Sequence, residues 1–271
     1  MEKRGRIDTE LDSQDLEQDR QFVTALARGL ELLRCFRPGE RLLGNQELVK
    51  RSGLPKATVS RLTYTLTRLG YLQYVESLGK YALDTGVLAL GYAHLNGLDI
   101  RKQARPLMQE FADQTQCSVS LGARDRLSMV YIENCQGPGP LSLRLDVGSR
   151  IPMTSTAMGR AYLAALPDAE RDLLLDQLKA RDDDWATTRE QLDKAFRHYQ
   201  DHGYCLSCGD WQKDINAVGV PLIQSDGSGV VAFSCGGPAF VLRQHMLEDD
   251  VGPRLAHLVR NVGANLGRQF Q

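Results

Sequence analysis

The sequence lacks any long hydrophobic run. No stretch of its 271 residues approaches the roughly 20 consecutive apolar residues of a membrane-spanning helix. The first twenty residues, MEKRGRIDTELDSQDLEQDR, also lack the apolar core of a signal peptide. We therefore expect a cytoplasmic protein with no membrane partner, whose six cysteines stay reduced. Because residues 1–19 are charged throughout, we predict that they form a disordered tail.

The signatures of several enzyme classes are also missing. The sequence contains no phosphate-binding loop, no G-x-S-x-G element and no H-E-x-x-H motif. A thiol nucleophile would need a base and a third orienting group, and the spacing of the five histidines defines no such set. We expect a protein that is not an enzyme and needs no cofactor. An enzyme and a pure protein-interaction module are kept as alternative hypotheses.

Two helical patterns with a glycine between them stand out near the N-terminus. Residues 43–74 read LGNQELVKRSGLPKATVSRLTYTLTRLGYLQY, and the first helix is predicted over Glu47–Ser52. Gly53 can adopt the left-handed conformation that ends a helix. Pro55 suits the first position of the second helix, because proline has no amide hydrogen to leave unpaired there.

The flanking segments complete a known arrangement. Apolar residues at helical spacing over 22–36 predict a preceding helix, and two strand-like runs around 77–79 predict a β-hairpin. A helix, a helix pair around a glycine and a hairpin in about sixty residues are typical of a winged helix-turn-helix. The sequence therefore predicts a DNA-binding domain.

The second helix has two chemically different faces. A buried stripe is predicted at Val59, Leu62, Leu66 and Leu69. On the other face an arginine could chelate a guanine edge, while Lys, Ser, Thr and Tyr could donate to phosphate oxygens. The predicted DNA-binding residues are Lys56, Ala57, Thr58, Ser60, Arg61, Tyr64 and Arg68, with Lys80 in the hairpin. The alternative is an ordinary solvated face of an amphipathic helix.

Charge supports the DNA-binding interpretation. Residues 20–80 contain eleven Lys or Arg and four acidic residues, which gives this segment a charge of +7. Since the whole chain has a formal net charge of -1, the remainder carries -8. A basic segment in an otherwise acidic protein indicates neutralisation of phosphates.

The remaining residues predict a second, larger domain. A helix over 83–95 would connect it to the DNA-binding domain, and a helix over 100–114 would open it. Strands are predicted at CSVSLGA, LSMVYIE and LSLRL, then helices over 154–166 and 168–202, then strands at GYCLS, INAVGVPLI and GVVAFSC, and a helical tail from 244. This order predicts an α+β domain with an antiparallel sheet.

Four segments in this order resemble the IclR family of bacterial transcriptional regulators: FVTALARGLELLRCF, ELVKRSGLPKATVSRLTYTLTRLGYL, VGSRIPMTSTAMGRAYLAAL and PLIQSDGSGVVAFSCGGP. The resemblance runs from about Gln21 to the C-terminus. It implies a winged helix-turn-helix over 20–83, a linker helix over 84–99 and a GAF-like effector-binding and oligomerisation domain over 100–271. It also implies a dimer or tetramer that binds double-stranded operator DNA and responds to a small organic acid or an aromatic metabolite.

The resemblance also implies the position of the effector, between the sheet and the segment IPMTSTAMGR. Carried over by position, the implied effector contacts are Thr156, Ala157, Met158 and Gly159, with Leu143 and Leu145 on the sheet side, and Ser207, Ala217, Ser234 and Gly236 farther on. Small residues and hydroxyls at a helix N-terminus suit a carboxylate, because the first amides of a helix are free. The alternative is that Ala157 and Gly159 serve only close packing.

Some of these positions depart from the family pattern. Members often have an acidic residue and a cysteine where this chain has Ser207 and Ala217. Ser234 matches the family's serine, whereas Gly236 stands where some members have a second serine. These departures imply an effector different from that of the glyoxylate-type regulators.

Four residues between 198 and 208 form a candidate metal site. His198, His202, Cys205 and Cys208 have side chains that zinc accepts, with histidines one helical turn apart and a C-x-x-C spacing. If GYCLS is a strand, however, Cys205 and Cys208 point to opposite faces. We therefore predict no metal and keep a metal-responsive regulator as an alternative hypothesis. The other cysteines, Cys35, Cys117, Cys135 and Cys235, are predicted to be core residues.

Overall fold

The computed structural model describes residues 21–139, 145–224, 227 and 229–269. The chain forms two compact units that divide after Gly97. In the described part of the chain, no helix combines the length and the apolar character that crossing a bilayer requires. The tail predicted for residues 1–19 lies outside the described residues, as does the strand predicted at LSLRL apart from Leu145.

The first unit contains the predicted helices and hairpin. Its helices are α1 (Thr24–Arg34), α2 (Asn45–Ser52), α3 (Lys56–Arg68) and α4 (Thr85–Asn96), and its strands are β1 (Leu43–Gly44), β2 (Leu72–Val75) and β3 (Lys80–Leu83), with a 3-10 turn at Glu76–Leu78. The three strands form an antiparallel sheet in the order β1-β3-β2. Strand β1 was not predicted, because two residues carry no periodicity.

The turn between α2 and α3 follows from local chemistry. Gly53 has φ +67°, and its amide donates to the carbonyl of Val49 at 3.0 Å. The predicted left-handed glycine is therefore confirmed. Pro55 sits one residue earlier than predicted, immediately before the first helical residue.

The buried face of α3 differs from its prediction at one residue. Val59 and Leu66 are buried and Leu62 packs against the same core, but Leu69 is 63% exposed. Leu69 follows the last helical residue, so it leaves the helical stripe. Thr63 is buried instead, and its hydroxyl donates to the carbonyl of Val59 at 2.9 Å.

The second unit is an α+β domain around an antiparallel sheet, as predicted. Its helices are α5 (Asp99–Thr115), α6 (Ala157–Ala165), α7 (Asp168–Lys179), α8 (Trp185–His202), α9 (Gln244–Met246) and α10 (Gly252–Gln269), with a π-helical turn at Leu247–Val251. Its strands are β4 (Ser118–Asp125), β5 (Ser128–Gln136), β6 (Arg150–Pro152), β7 (Cys205–Cys208), β8 (Ile215–Ile223) and β9 (Val230–Pro238).

The sheet has the strand order β6-β5-β4-β9-β8-β7. Helices α5 and α10 pack on one face, and α6 packs on the other. Gly219 on β8 allows this second contact, because a Cβ atom there would lie 2.2 Å from the carbonyl oxygen of Ala157. The N-terminus of α6 is thereby held directly against the middle of the sheet.

Candidate functional sites

The polar face of α3 is open to solvent. Among the predicted DNA-binding residues, Lys56, Ala57, Ser60, Arg61, Tyr64 and Arg68 are exposed, and Thr58 is half-buried. Tyr64 is 67% exposed. The structure therefore presents these side chains together on one side of one helix.

Two of the predicted residues have partners within the domain. The Asn45 side-chain amide donates to the hydroxyl of Ser60 at 3.0 Å, so α2 orients this residue of α3. Lys80 is half-buried and lies 3.5 Å from the carboxylate of Glu47. The Gly44 amide, and to a smaller extent Lys80, hold the pKa of Glu47 below its ordinary value. Lys80 is therefore less available to phosphate than a free lysine.

Not every basic residue of the segment is available for DNA. The guanidinium of Arg51 forms an ion pair with Glu40 and donates to the carbonyl of Cys35 at 2.8 Å. This pairing lowers the pKa of Glu40. Arg51 thus connects α2 to the segment after α1. The positive charge available to DNA is therefore smaller than the net charge of +7 suggests.

A cavity lies between α6 and the sheet. Its lining residues are Ser118, Ser120, Tyr131, Asn134, Leu145, Ile151, Thr156, Ala157, Met158, Ser207, Trp211, Ile215, Ala217, Ser234 and Gly236. Of the ten predicted effector-binding residues, eight are among them: Leu145, Thr156, Ala157, Met158, Ser207, Ala217, Ser234 and Gly236. The structure therefore brings together residues that are more than 100 positions apart.

Strand register explains this convergence. Ser207 lies opposite Ala217, which lies opposite Gly236, which lies opposite Ser118. The neighbouring row of paired residues is Gly219, Ser234, Ser120 and Asn134. Residues directly opposite one another share a face of the sheet. Two adjacent rows of small and hydroxyl side chains thus form the cavity floor.

The remaining two predictions have different outcomes. Gly159 does not line the cavity, because a Cβ atom at this residue would lie 2.3 Å from the Met153 backbone. Its role is close packing, the alternative considered from the sequence. Leu143 lies outside the described residues.

Several lining residues were missed by the sequence analysis. The alternation of Ser118 and Ser120 in β4 was a usable signal. Tyr131 and Asn134 on β5 are three residues apart, which alternation would place on opposite faces. A register shift between Leu121 and Gly122 in the pairing with β5 brings both side chains to the cavity.

Hydrogen bonds hold the polar lining in place. The Ser120 hydroxyl donates to Asn134 Oδ1 at 2.8 Å, and Asn134 Nδ2 donates to the carbonyl of Leu145 at 2.8 Å. The hydroxyl of Tyr131 is hydrogen-bonded to Ser120 and Ser234. Burial raises the pKa of Tyr131 despite these hydrogen bonds, so its phenol is neutral.

The N-terminus of α6 contributes backbone donors. Thr156 caps the helix, and its hydroxyl accepts from the Gly159 amide at 3.2 Å and donates to the carbonyl of Pro152 at 2.6 Å. The first amides of a helix have no partner within it. Ala157 and Met158 line the cavity and are the first two residues of α6, so their amides have no intrahelical acceptor.

The cavity is small in this conformation. The total atom-free space, which includes the open mouth of the cavity, is about 500 Å³. The volume that the centre of a water molecule can reach is about 30 Å³. This is room for roughly two waters, whereas ligand pockets measure roughly 300 to 1,000 Å³. A larger ligand requires side chains such as Met158 and Trp211 to move.

A buried arginine lies beside the cavity without lining it. Arg160 is 3% exposed and forms an ion pair with Asp210 at 2.6 Å. It also donates to the carbonyls of Thr154 and Leu206 at 2.8 and 2.9 Å. Its charge is therefore used within the domain, where it connects α6 to the loop that carries Trp211.

The four residues considered for metal lie in different settings. His198 is half-buried and His202 exposed, with their rings stacked 4.3 Å apart on α8. Cys205 is buried and its thiol contacts the carbonyl of Ala195 at 3.5 Å, while Cys208 on the other face of β7 is half-buried. Among the described residues, no group of three or more His, Cys, Asp or Glu could hold a metal ion.

The other cysteines follow their predicted environment with one exception. Cys117, Cys135 and Cys235 are buried, and Cys35 is half-buried. Burial raises the pKa of Cys117 to about 11 and that of Cys235 to about 12. These thiols are therefore protonated and unreactive near neutral pH.

A winged helix-turn-helix followed along the chain by a larger α+β domain is typical of two-domain DNA-binding proteins. Two family models match the chain: the IclR helix-turn-helix domain over residues 25–76 and the bacterial transcriptional regulator IclR C-terminal domain over residues 92–264. The chain therefore belongs to the IclR family of transcriptional regulators. Its named relatives are regulators of this non-enzymatic, DNA-binding family, so the enzyme hypothesis is wrong.

Similar proteins extend over nearly the whole chain. The HTH-type transcriptional regulator TsaQ1/TsaQ2 of Comamonas testosteroni is 36% identical over 248 residues, 90% of this chain and 89% of that protein. The crystal structure of an IclR family transcriptional regulator from Brucella abortus matches with a TM-score of 0.90 and 50% identity, over 96% of this chain and 99% of the other. An IclR homolog from Microbacterium hydrocarbonoxydans, complexed with 4-hydroxybenzoate, matches with a TM-score of 0.64. At 21% identity, over 89% of this chain and 97% of the other, this last match shows the shared fold alone.

Proposed function

We propose that this regulator binds operator DNA through the exposed face of α3 and that a small organic acid in the cavity controls its operator affinity. The observation that carries the proposal is the cavity itself, which is lined by the first residues of α6 and by two rows of hydroxyl and small side chains. Residues 84–99 would serve as the linker between the two functions. The protein would act in the cytoplasm, where the operator is found.

The DNA part of the proposal rests on the placement of α3. Arg61 and Tyr64 are exposed one turn apart, and Lys56 lies at the helix N-terminus. In this class of domain the second helix enters the major groove with its N-terminal half against the bases. We assign base contact to Arg61 and phosphate contact to Lys56 and Arg68.

The effector part rests on donors without acceptors of their own. The amides of Ala157 and Met158 favour an anion, because a helix N-terminus carries a partial positive charge. Five lining hydroxyls, those of Ser118, Ser120, Ser207, Ser234 and Thr156, are at most 7% exposed, and their oxygens can accept hydrogen bonds from neutral groups of a ligand. The rings of Tyr131 and Trp211 suit a flat apolar body, so an aromatic acid belongs to this ligand class.

Self-association is a further part of the proposal. Two helices carry large apolar side chains that are more than half exposed. On α1 and just before it, the exposed fraction is 52–62% for Val23, Leu26 and Leu30. On α4 it is 59–71% for Leu88, Leu90 and Tyr92. Among the residues of α4, none is buried within the chain. Apolar surface of this kind marks an interface, so we propose a dimer or tetramer in which copies cover these helices. Leu88→Glu should lower the sedimentation coefficient, whereas Leu78→Glu at the exposed hairpin turn should not.

One titration tests the proposal as a whole. Fluorescently labelled DNA from the promoter adjoining the protein's own gene is titrated with full-length protein, with and without candidate monocarboxylic acids. An acid that occupies the cavity should change operator affinity about 5- to 150-fold, the range of typical coupling energies. If no acid alters operator binding, effector control is contradicted. If the protein does not bind the DNA at all, the proposal that α3 enters the major groove is contradicted.

A further inference from the structure

We infer that the cavity selects effectors with a single negative charge and a neutral hydrogen-bonding group at the other end, and that it rejects dianions. The ligand class is a monocarboxylate with a hydroxyl, carbonyl or amide substituent. This inference rests on the proposed function and deepens it by naming the charge of the effector.

The first observation is the charge inventory of the lining. None of the fifteen described lining residues has a side chain that is charged at neutral pH. Their polar side-chain groups are hydroxyls, one amide and the indole N–H of Trp211. Tyr131 alone can titrate among them, and burial keeps its phenol protonated.

The second observation is that nearby cations are already neutralised. Arg160 is paired with Asp210, and two carbonyls take further donors of its guanidinium. On the opposite face of β5, Glu133 is buried and forms ion pairs with both Arg105 and Arg101. The nitrogen of Arg101 lies 2.7 Å from the carboxylate, but the two groups do not have the geometry of a hydrogen bond. Recruiting Arg101 or Arg105 would leave the buried carboxylate of Glu133 unpaired, which is strongly unfavourable. Recruiting Arg160 would break its ion pair with Asp210 and its hydrogen bonds to two carbonyls.

The two ends of the cavity therefore differ in what they can bind. The amides at the start of α6 can take one carboxylate, because the helix dipole compensates part of its charge. Ser120, Asn134 and Tyr131 form a neutral hydrogen-bonded network on the β4 and β5 side. A second carboxylate placed there would lose its hydration without gaining a cation. A hydroxyl or amide would be satisfied by the same groups.

The test compares ligands that differ in charge and hardly in shape. Terephthalate and 4-carbamoylbenzoate form one pair, and succinate and succinamate form a second, aliphatic pair. Each is titrated calorimetrically into the full-length protein at pH 7.5, where every carboxylate is ionised. We expect at least one amide to bind, and to bind at least 10-fold more tightly than its dicarboxylate partner.

Each other result overturns the inference. Equal or tighter binding of a dicarboxylate would show that the cavity compensates two charges. If that binding disappears in Arg144→Gln, the second cation lies at a residue outside the described ones, and the inference is equally wrong. Failure of both amides to bind would also contradict it. In every case the operator titration with other monocarboxylates decides the proposed function separately.

Discussion

Helices α3 and α6 use their N-terminal halves in opposite ways. In α3 the polar residues face solvent, and only Val59, Thr63 and Leu66 are buried. In α6 every residue from Ala157 to Leu163 is buried, and the helix start lies against a cavity instead of water. One helix has the exposed charges that contact with a large, highly charged partner needs, and the other borders a small enclosed cavity.

This difference has a physical basis. DNA binding needs exposed cations. These cations stay hydrated in the free protein and therefore cost it little stability, and they are neutralised only when they contact phosphates. Enclosing a small ligand needs donors fixed in a dry site, where each unpaired polar group is costly. The hydroxyls of the cavity are accordingly held by partners such as the Ser155 carbonyl, which accepts from Ser207 at 2.7 Å. Tolerance to substitution should therefore be high on α3 and low around α6.

The largest expected effect is on folding around α6. Gly219→Ala would place a methyl group 2.2 Å from the Ala157 carbonyl oxygen, so helix and sheet must separate. We expect destabilisation of about 3 kcal/mol or more, the upper end for overpacking, measured by urea unfolding. Gly267→Ala on α10, with nothing within 4 Å of the added atom, is the control and should not destabilise. Equal stability of the two variants would contradict close packing of α6.

The next effect concerns the DNA interface. Arg61→Ala should weaken operator binding by about 1 to 3 kcal/mol and relax base preference, because a base contact is lost. Lys56→Ala should weaken all sequences alike and lower the salt slope by about one. Since both residues are exposed, the melting temperature should not change. Fluorescence anisotropy titrations with operator and scrambled duplexes distinguish the two variants. If Arg61→Ala binds both duplexes with wild-type affinity, this arginine takes no part in base recognition.

A smaller change in stability with a large change in ligand binding is expected inside the cavity. Ala217→Val adds two carbons to the cavity floor and should lower effector affinity at least 10-fold, while unfolding free energy changes by about 1 kcal/mol or less. Ala239→Val, just after β9 and outside the lining, is the matched control. The probe is whichever monocarboxylate shifts operator affinity. Wild-type affinity in Ala217→Val would place the ligand elsewhere.

The smallest expected effect is a pH dependence at His198. Burial, followed by the charge of His202, lowers the pKa of His198, while Glu248 and Asp201 act in the opposite direction. The unfolded chain therefore binds this proton at higher pH than the native state does. The contribution to stability is present above the ordinary histidine pKa of about 6.5 and is lost as pH falls. His198→Gln should show a flatter decline in melting temperature between pH 7.5 and 5, and an identical decline would refute this assignment.

A site whose residues lie close together in the sequence is easier to predict than one whose residues lie far apart. The polar face of α3 repeats within one helix, so the spacing alone predicts that Arg61 and Tyr64 share an exposed face, as the structure has them. The cavity joins strands from Ser118 to Gly236, and no periodicity connects them. Eight of the residues that the family resemblance implied line the cavity, whereas Gly159 packs against the backbone of Met153. Tyr131 and Asn134 depended on a register shift that has no signal in the sequence.

The most direct test of effector control is thermodynamic reciprocity. An acid that changes operator affinity by a given factor must have its own affinity changed by the same factor when operator is bound. Both factors can be measured on the full-length protein: operator Kd with and without saturating acid, and acid Kd with and without saturating operator. We expect equal factors between about 5 and 150 in the wild type. At an acid concentration that only just saturates the wild type, the operator Kd of Ala217→Val should shift less. An operator Kd that shifts to the same extent in Ala217→Val at this acid concentration would contradict effector control through the cavity.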